Sequence, residues 1–301
     1  MSAWTFDELY GRDGKFLNAL ESRGQLFVTE IPSDFHGWLQ KPAVLRNPPK
    51  NQGKKGRRKK YPRVSRRRAS CQVRNLLAYS PIFRKQTWQR YRIKDTDQGP
   101  AVWEVKWSAF WRRKEVRGLP TRRHCLIVAR NLLTGEVKYF LSNRVPGERN
   151  PVTGTFVTLR SLLRVAFGRW SIESCFREGT EELGLDHYEV RGWRCVHRHF
   201  YVTQLSHLFC ARVRQEFDAI PGDQVDRITL EQVRSAVDVW LDTADLPPRT
   251  RRKRFEAELE KQRYHQRRNK QSRRSHTKTR INRLTAMGLD IEKIKSCILD
   301  E

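Results

Sequence analysis

Residues 4–31 read WTFDELYGRDGKFLNALESRGQLFVTEI. Trp4, Thr5 and Phe6 read as the end of a buried strand, and the acidic pair Asp7 and Glu8 follows at once. Asp13 is placed to cap a short helix through Leu17 and Leu20, which Gly24 closes. Residues 25–31 (QLFVTEI) form a second strand, ended by Pro32. The unit is strand–helix–strand, with an acidic residue at the C-terminal tip of its first strand. Open α/β sheets place their ligands at such tips. A six-residue lead-in is short, because a parallel sheet buried on both faces needs more strands than these two.

Working outward, residues 33–150 read as a β-rich insertion. Between Val102 and Trp111, Trp103, Val105, Trp107, Ala109 and Trp111 alternate with mainly polar residues, which is strand periodicity with a tryptophan face. These tryptophans are assigned to core rather than to base stacking, since single-strand stackers usually sit singly and exposed. Residues 125–129 (CLIVA) and 137–142 (VKYFLS) flank a turn at Thr134 and Gly135, a hairpin pattern. Residues 47–68 carry no acid and many cations, including Lys54, Lys55, Arg57, Arg58, Lys59 and Lys60. Prolines, glycines and self-repelling charge make this a loop suited to phosphate contact.

Beyond Pro151 the period becomes helical. Leu159, Leu162, Leu163, Ala166 and Phe167 share one face, Ile172, Cys175, Phe176 and Gly179 a second, and Val196, Phe200, Leu205, Leu208 and Phe209 suggest a third helix. Thr229 and Gln232 form a capping-box pattern opening a helix to Leu241. Pro247 and Pro248 are expected to end the compact part. The remainder is a basic helical tail with a thin apolar stripe at Phe255 and Leu259, able to fold on an acidic partner or to stay solvated. The expected division is 1–32, 33–150, 151–248 and 249–301.

Composition limits the function. The chain has 301 residues, is 38% hydrophobic and carries a formal charge of +28. That is enough for one large domain or two small ones, and the charge points to a polyanion. No long apolar run or signal peptide occurs, so a soluble, cytoplasmic, nucleoid-associated protein is expected, with no membrane partner. Six scattered cysteines lack a Cys-x-x-Cys pair, which argues against a zinc ribbon or disulfide framework. Cys195, His197 and His199 with His187 upstream have looser spacing than structural zinc sites use.

Arg169, Glu173 and Arg177 lie four apart on one helical face, which by spacing alone is a surface charge ladder. The segment around them decides otherwise. Residues 170–199, WSIESCFREGTEELGLDHYEVRGWRCVHRH, resemble the signature around the last catalytic acid of bacterial insertion-sequence DDE transposases. Residues 6–32, with Asp7-x-x-Tyr10-Gly11, resemble that family's segment holding the second catalytic acid. SDFHGWLQKP from Ser33, KYFLSN from Lys138, and YHQRRN with SHTKTRINRLTAMGL from Tyr264 are similar too, in family order.

The resemblance implies a mixed α/β fold: a partial RNase H-like core, the β-rich insertion and the basic helical tail. It implies Asp7 and Glu173 as catalytic, Mg²⁺-binding carboxylates, and Arg169 as the arginine preceding that glutamate. With Arg177 and the basic loop, Arg169 is expected to contact DNA, at transposon ends and target, in a complex that could be homodimeric. Two positions depart from the family: its signature tyrosine falls on Ala166 and its phosphate-holding lysine on Thr180. The first catalytic aspartate and the strands expected before Phe6 have no counterpart in the sequence. Two-metal phosphodiester chemistry uses a pair of ions about 4 Å apart, which two carboxylates would not hold, so no autonomous cleavage is expected. The alternative is a non-catalytic nucleic-acid-binding protein on the same scaffold. A third reading, an RNA- or ribosome-associated protein, rests on charge alone. An incomplete sheet would expose apolar surface around Trp4, Phe6 and Phe27.

Overall fold

The computed structural model describes residues 2–48, 60–65, 68–115, 117–218 and 228–297. They form two compact units, residues 1–169 with 276–301, and residues 170–275. In chain order the first unit begins with β1 (Trp4–Phe6), α1 (Glu8–Arg12), α2 (Gly14–Ser22), β2 (Phe27–Ile31), β3 (His36–Trp38), β4 (Val44–Leu45) and β5 (Arg63–Val64). It continues through β6 (Cys71–Gln72), α3 (Val73–Tyr79), α4 (Pro81–Lys85), β7 (Gln89–Thr96), β8 (Gly99–Arg113), β9 (Pro120–Asn131), β10 (Val137–Ser142) and α5 (Leu159–Gly168). The second unit holds α6 (Trp170–Leu183), α7 (Trp193–Asp218), α8 (Leu230–Asp242) and most of α9 (Pro248–Ala286). The last turns of α9 and β11 (Lys295–Ser296) belong to the first unit.

The fold is mixed α/β, as expected. One sheet runs β1-β2-β10-β9-β8-β3-β6, and β8 also pairs β7, which in turn pairs β11. β1 and β2 are parallel, with Trp4 opposite Phe27, as the strand–helix–strand reading requires. Apart from β4 and β5, which form their own two-stranded sheet, the strands within residues 33–150 do not stand apart from this pair. Their long hairpin β8–β9–β10 continues the same sheet through the β2–β10 pairing.

Alternate residues of the central strands face two cores. Cys125, Ile127 and Ala129 of β9 pack with Phe140, Trp103 and the buried face of α5, Leu159, Leu162, Leu163 and Ala166. Leu126 and Val128 pack with Phe27, Ile31, Phe110 and residues of α2, α3 and α4, among them Leu17, Leu20, Val73 and Phe83. A strand covered on both faces needs a continuous apolar run, which is why CLIVA breaks the alternation of a half-exposed strand. Trp103 lies in the first core and Trp107 packs against it, so these tryptophans are structural.

Local capping follows the chemistry of the sequence. Asp13 Oδ1 accepts from the amides of Lys15 and Phe16 at the start of α2. Thr158 with Ser161, and Thr229 with Gln232, close capping boxes on α5 and α8. Each cap of this kind is worth about 1 kcal/mol.

Four expectations are corrected. The strand at Trp4 is not buried: β1 is an edge strand and Trp4 is 53% exposed, although Phe27 on the neighbouring strand is fully buried. Pro247 and Pro248 do not end the compact part; they open α9. Proline is tolerated in a first helical turn, where its missing N–H would lack a partner anyway. The tail does not stay a solvated helix to its end. Leu284 and Leu289 are buried against Val102, and β11 pairs parallel to β7. Finally, the apolar faces read on α6 and α7 are not the buried ones: Ile172, Phe176, Phe200, Leu205, Leu208 and Phe209 are exposed. The small core of the second unit uses Cys210, Leu230 and Val233 with Leu183, Val213 and Val237. When a helix has apolar residues around much of its circumference, period alone does not select the buried side.

A buried ion cluster fastens α2 to the sheet. His124 is fully buried, with Nε2 2.6 Å from Glu21 Oε1 and Nδ1 2.8 Å from the Arg122 carbonyl. Arg122 Nε lies 3.0 Å from the other Glu21 oxygen. Burial acts to raise the Glu21 pKa, but the His124 hydrogen bond and the charges of His124, Arg122 and Arg112 together hold it below 4.5. A carboxylate depressed in the folded state stabilises above its unfolded pKa, and that stability is lost as pH falls through the folded value. Unfolding titrations should therefore show stability declining below about pH 4.5 through Glu21. Glu21→Gln should cost about 2 kcal/mol at neutral pH and flatten that acid limb.

Candidate active site

Asp7 directly follows β1 and is the N-cap of α1, its Oδ1 accepting from the amides of Leu9 at 3.1 Å and Tyr10 at 3.4 Å. The half-buried carboxylate thus sits at the C-terminal tip of a strand paired parallel to its neighbour. The surrounding residues fix that tip. Buried Thr29 of β2 places its hydroxyl 3.2 Å from the carbonyl oxygens of both Phe6 and Asp7. Gly11 is required by space: a Cβ there would lie 2.1 Å from the Glu30 carbonyl oxygen and 2.7 Å from Thr29 Oγ1. The Asp-x-x-Tyr-Gly spacing therefore has a mechanical sense. Aspartate caps one helical turn, and glycine lets that turn press on the end of β2.

Asn143, the last residue of the KYFLSN stretch, is also accounted for. Almost fully buried, it accepts from the Phe27 amide at 3.1 Å and donates to the Gln25 carbonyl at 2.7 Å, which ties β10 to the start of β2. Sequence reasoning missed Thr29, Asn143 and the Glu21–His124 pair as supports of this region. A hydrophilic residue inside an apolar run, as in FVTEI and KYFLSN, is the signal that was available.

In the second unit, Glu173 lies in the first turn of α6 and is half-buried. Arg177 is exposed, its Nε 4.0 Å from Glu181 Oε2. Thr180 turns its hydroxyl back on its own helix, toward the carbonyls of Phe176 and Arg177 at 3.2 and 2.9 Å. It does not reach outward as a lysine there would. Arg169, the C-cap of α5, belongs to the first unit, as does Asp7. Ala166, in the signature tyrosine position, is buried against the sheet. Lys60 is exposed, whereas Lys54, Lys55, Arg57, Arg58 and Lys59 lie outside the described residues.

The first third of the chain, residues 2–100, matches the family model described as DDE superfamily endonuclease. Over these residues the chain is similar to that superfamily. The matched residues include Asp7 and its supports Gly11 and Thr29; Glu173 lies beyond them. No curated protein matches the chain. The match supports a transposase-like nuclease at the level of that family, whose endonucleases act on DNA and generally use a divalent metal.

Carboxylate oxygens suit Mg²⁺, and Asp7 presents one at a strand tip. Among the described residues, however, no three His, Cys, Asp or Glu side chains are grouped to hold an ion. Around the Cys195 region, His199 Nε2 instead lies 2.9 Å from the Gly184 carbonyl, and the His197 ring lies 3.9 Å from that of Trp193, tilted by 52°. No described helix is long and apolar enough to cross a membrane.

Proposed function

We propose that this DDE superfamily chain acts on DNA as part of a transposase, with Asp7 and Glu173 as two of the carboxylates that face Mg²⁺ during phosphodiester cleavage and strand transfer. The observation that carries the reading is the position of Asp7. Asp7 lies within the residues that match the family and stands at a strand tip, where Gly11 and Thr29 support it. When bound, the metal would stabilise charge on the attacking and leaving oxygens. The chain's own contribution is to hold the Asp7 carboxylate rigidly through the amides of Leu9 and Tyr10, and to present Arg169 and Arg177 to DNA phosphates.

We further propose that the chain does not cleave unaided, because two carboxylates do not complete a two-metal site. A second reading, a DNA-binding protein without catalysis, is favoured by the charge of +28. The two readings separate in one experiment. A fusion that adds an aspartate-bearing N-terminal strand from a DDE superfamily relative should nick supercoiled plasmid in Mg²⁺. Asp7→Asn or Glu173→Gln in that fusion should lower the rate at least 100-fold, on the order seen when one essential charge-stabilising group is lost. Nicking that survives both substitutions would refute the assignment of the carboxylates. A properly folded fusion that binds DNA without nicking it would favour the second reading.

A further inference from the structure

The basic tail is neither evenly mixed in charge nor amphipathic. In α9 the acidic residues Glu256, Glu258 and Glu260 all fall in the first part, where Arg252 pairs Glu256 at 2.8 Å and Lys261 pairs Glu258 at 3.7 Å. From Lys261 to Gly288 no acidic residue occurs and ten are Lys or Arg. Arg263, Arg267, Lys270 and Arg274 follow at i, i+4, i+7 and i+11, a spacing that places them on one helical face. All four are exposed and lie in the second unit. The row they form is roughly 16 Å long at the helical rise.

We infer that this face of α9 is a binding surface for the sugar-phosphate backbone of duplex DNA, used without regard to base sequence. The inference rests on the proposal that the chain acts on DNA, and assigns a contact surface to that activity. Three observations select the partner. Residues 265–276, HQRRNKQSRRSH, contain no apolar side chain. Protein interfaces rely on buried aromatic and aliphatic anchors, and membrane-surface helices need an apolar face as well as a basic one; this segment offers neither. Single-stranded nucleic acid is held largely by stacking on aromatic rings, and no aromatic follows Tyr264 in α9. What remains is dense, regular negative charge. Three of the four residues are arginine, whose planar fork matches phosphate oxygens. Like charges at i, i+3 and i+4 weaken a helix by themselves, and a row of phosphates reverses that effect.

The test is fluorescence anisotropy of the full chain with a random-sequence duplex at several salt concentrations, comparing R263Q/R267Q/K270Q/R274Q with the wild type. Glutamine keeps helix propensity, and circular dichroism should confirm unchanged helicity. Four lost phosphate contacts should reduce the slope of log K against log salt by about 3.6. The off-face pair R268Q/R273Q serves as the control and should alter the slope little. A wild-type chain with no salt-dependent affinity for duplex would defeat the DNA reading as a whole. If the wild type binds but the quadruple variant keeps its slope, or loses no more per charge than the control, the surface assignment fails alone. Tighter binding of single-stranded than of duplex DNA would also overturn it.

Discussion

Replacing Gly11 by alanine is expected to destabilise the first unit by about 3 kcal/mol, at the upper end of what overpacking usually costs. The added Cβ would lie 2.1 Å from a backbone oxygen, that of Glu30, and not from the end of a flexible side chain. Relief requires α1 to lift from β2. Asp7 caps α1 and shares the Thr29 hydroxyl with Phe6, so the candidate metal-facing carboxylate moves with the helix. Chemical denaturation should show a lower midpoint with unchanged slope. A midpoint equal to that of the wild type would mean that Gly11 does not hold this corner.

Phe110→Ala is expected to have a larger effect on stability, about 4 kcal/mol, because a fully buried aromatic is removed from a close-packed core. Its ring lies between elements of different origin in the chain. It faces Phe35 at 6.4 Å, and a Cβ on Gly37 would come within 2.2 Å of its edge. That close approach explains a glycine in the middle of β3, where it would otherwise weaken a strand. For a unit of this size the loss corresponds to roughly 10 °C in melting temperature. Calorimetry that showed less than a quarter of that shift would imply that the neighbouring side chains collapse into the space.

These two residues show how far the sequence could be read. The strand–helix–strand start, the caps at Asp13 and Thr229, and the β9–β10 hairpin were legible, because each depends on neighbours within a few residues. Asp7 was legible as an acid at a strand tip and through the family resemblance. Glu173 was placed on a helix, but its surroundings were not foreseen: the apolar residues beside it, Ile172 and Phe176, face outward. Nothing local in the sequence accounts for Gly37, since its reason is a phenylalanine more than seventy positions away.

From the sequence alone came the mixed α/β class, the resemblance to DDE transposases, the net charge of +28 and an acidic residue at position 7. Helical and strand periods, capping and net charge are local or additive properties, and survive without knowledge of the fold. Only the tertiary structure decided that β1 is an edge strand, that the supposed insertion extends the same sheet, and that the chain's end returns to pair with β7. It also decided that Thr29, Gly11 and Asn143 support the tip bearing Asp7. Strand order and register are set by backbone hydrogen bonds between segments up to about two hundred residues apart, and no local pattern encodes which segments meet.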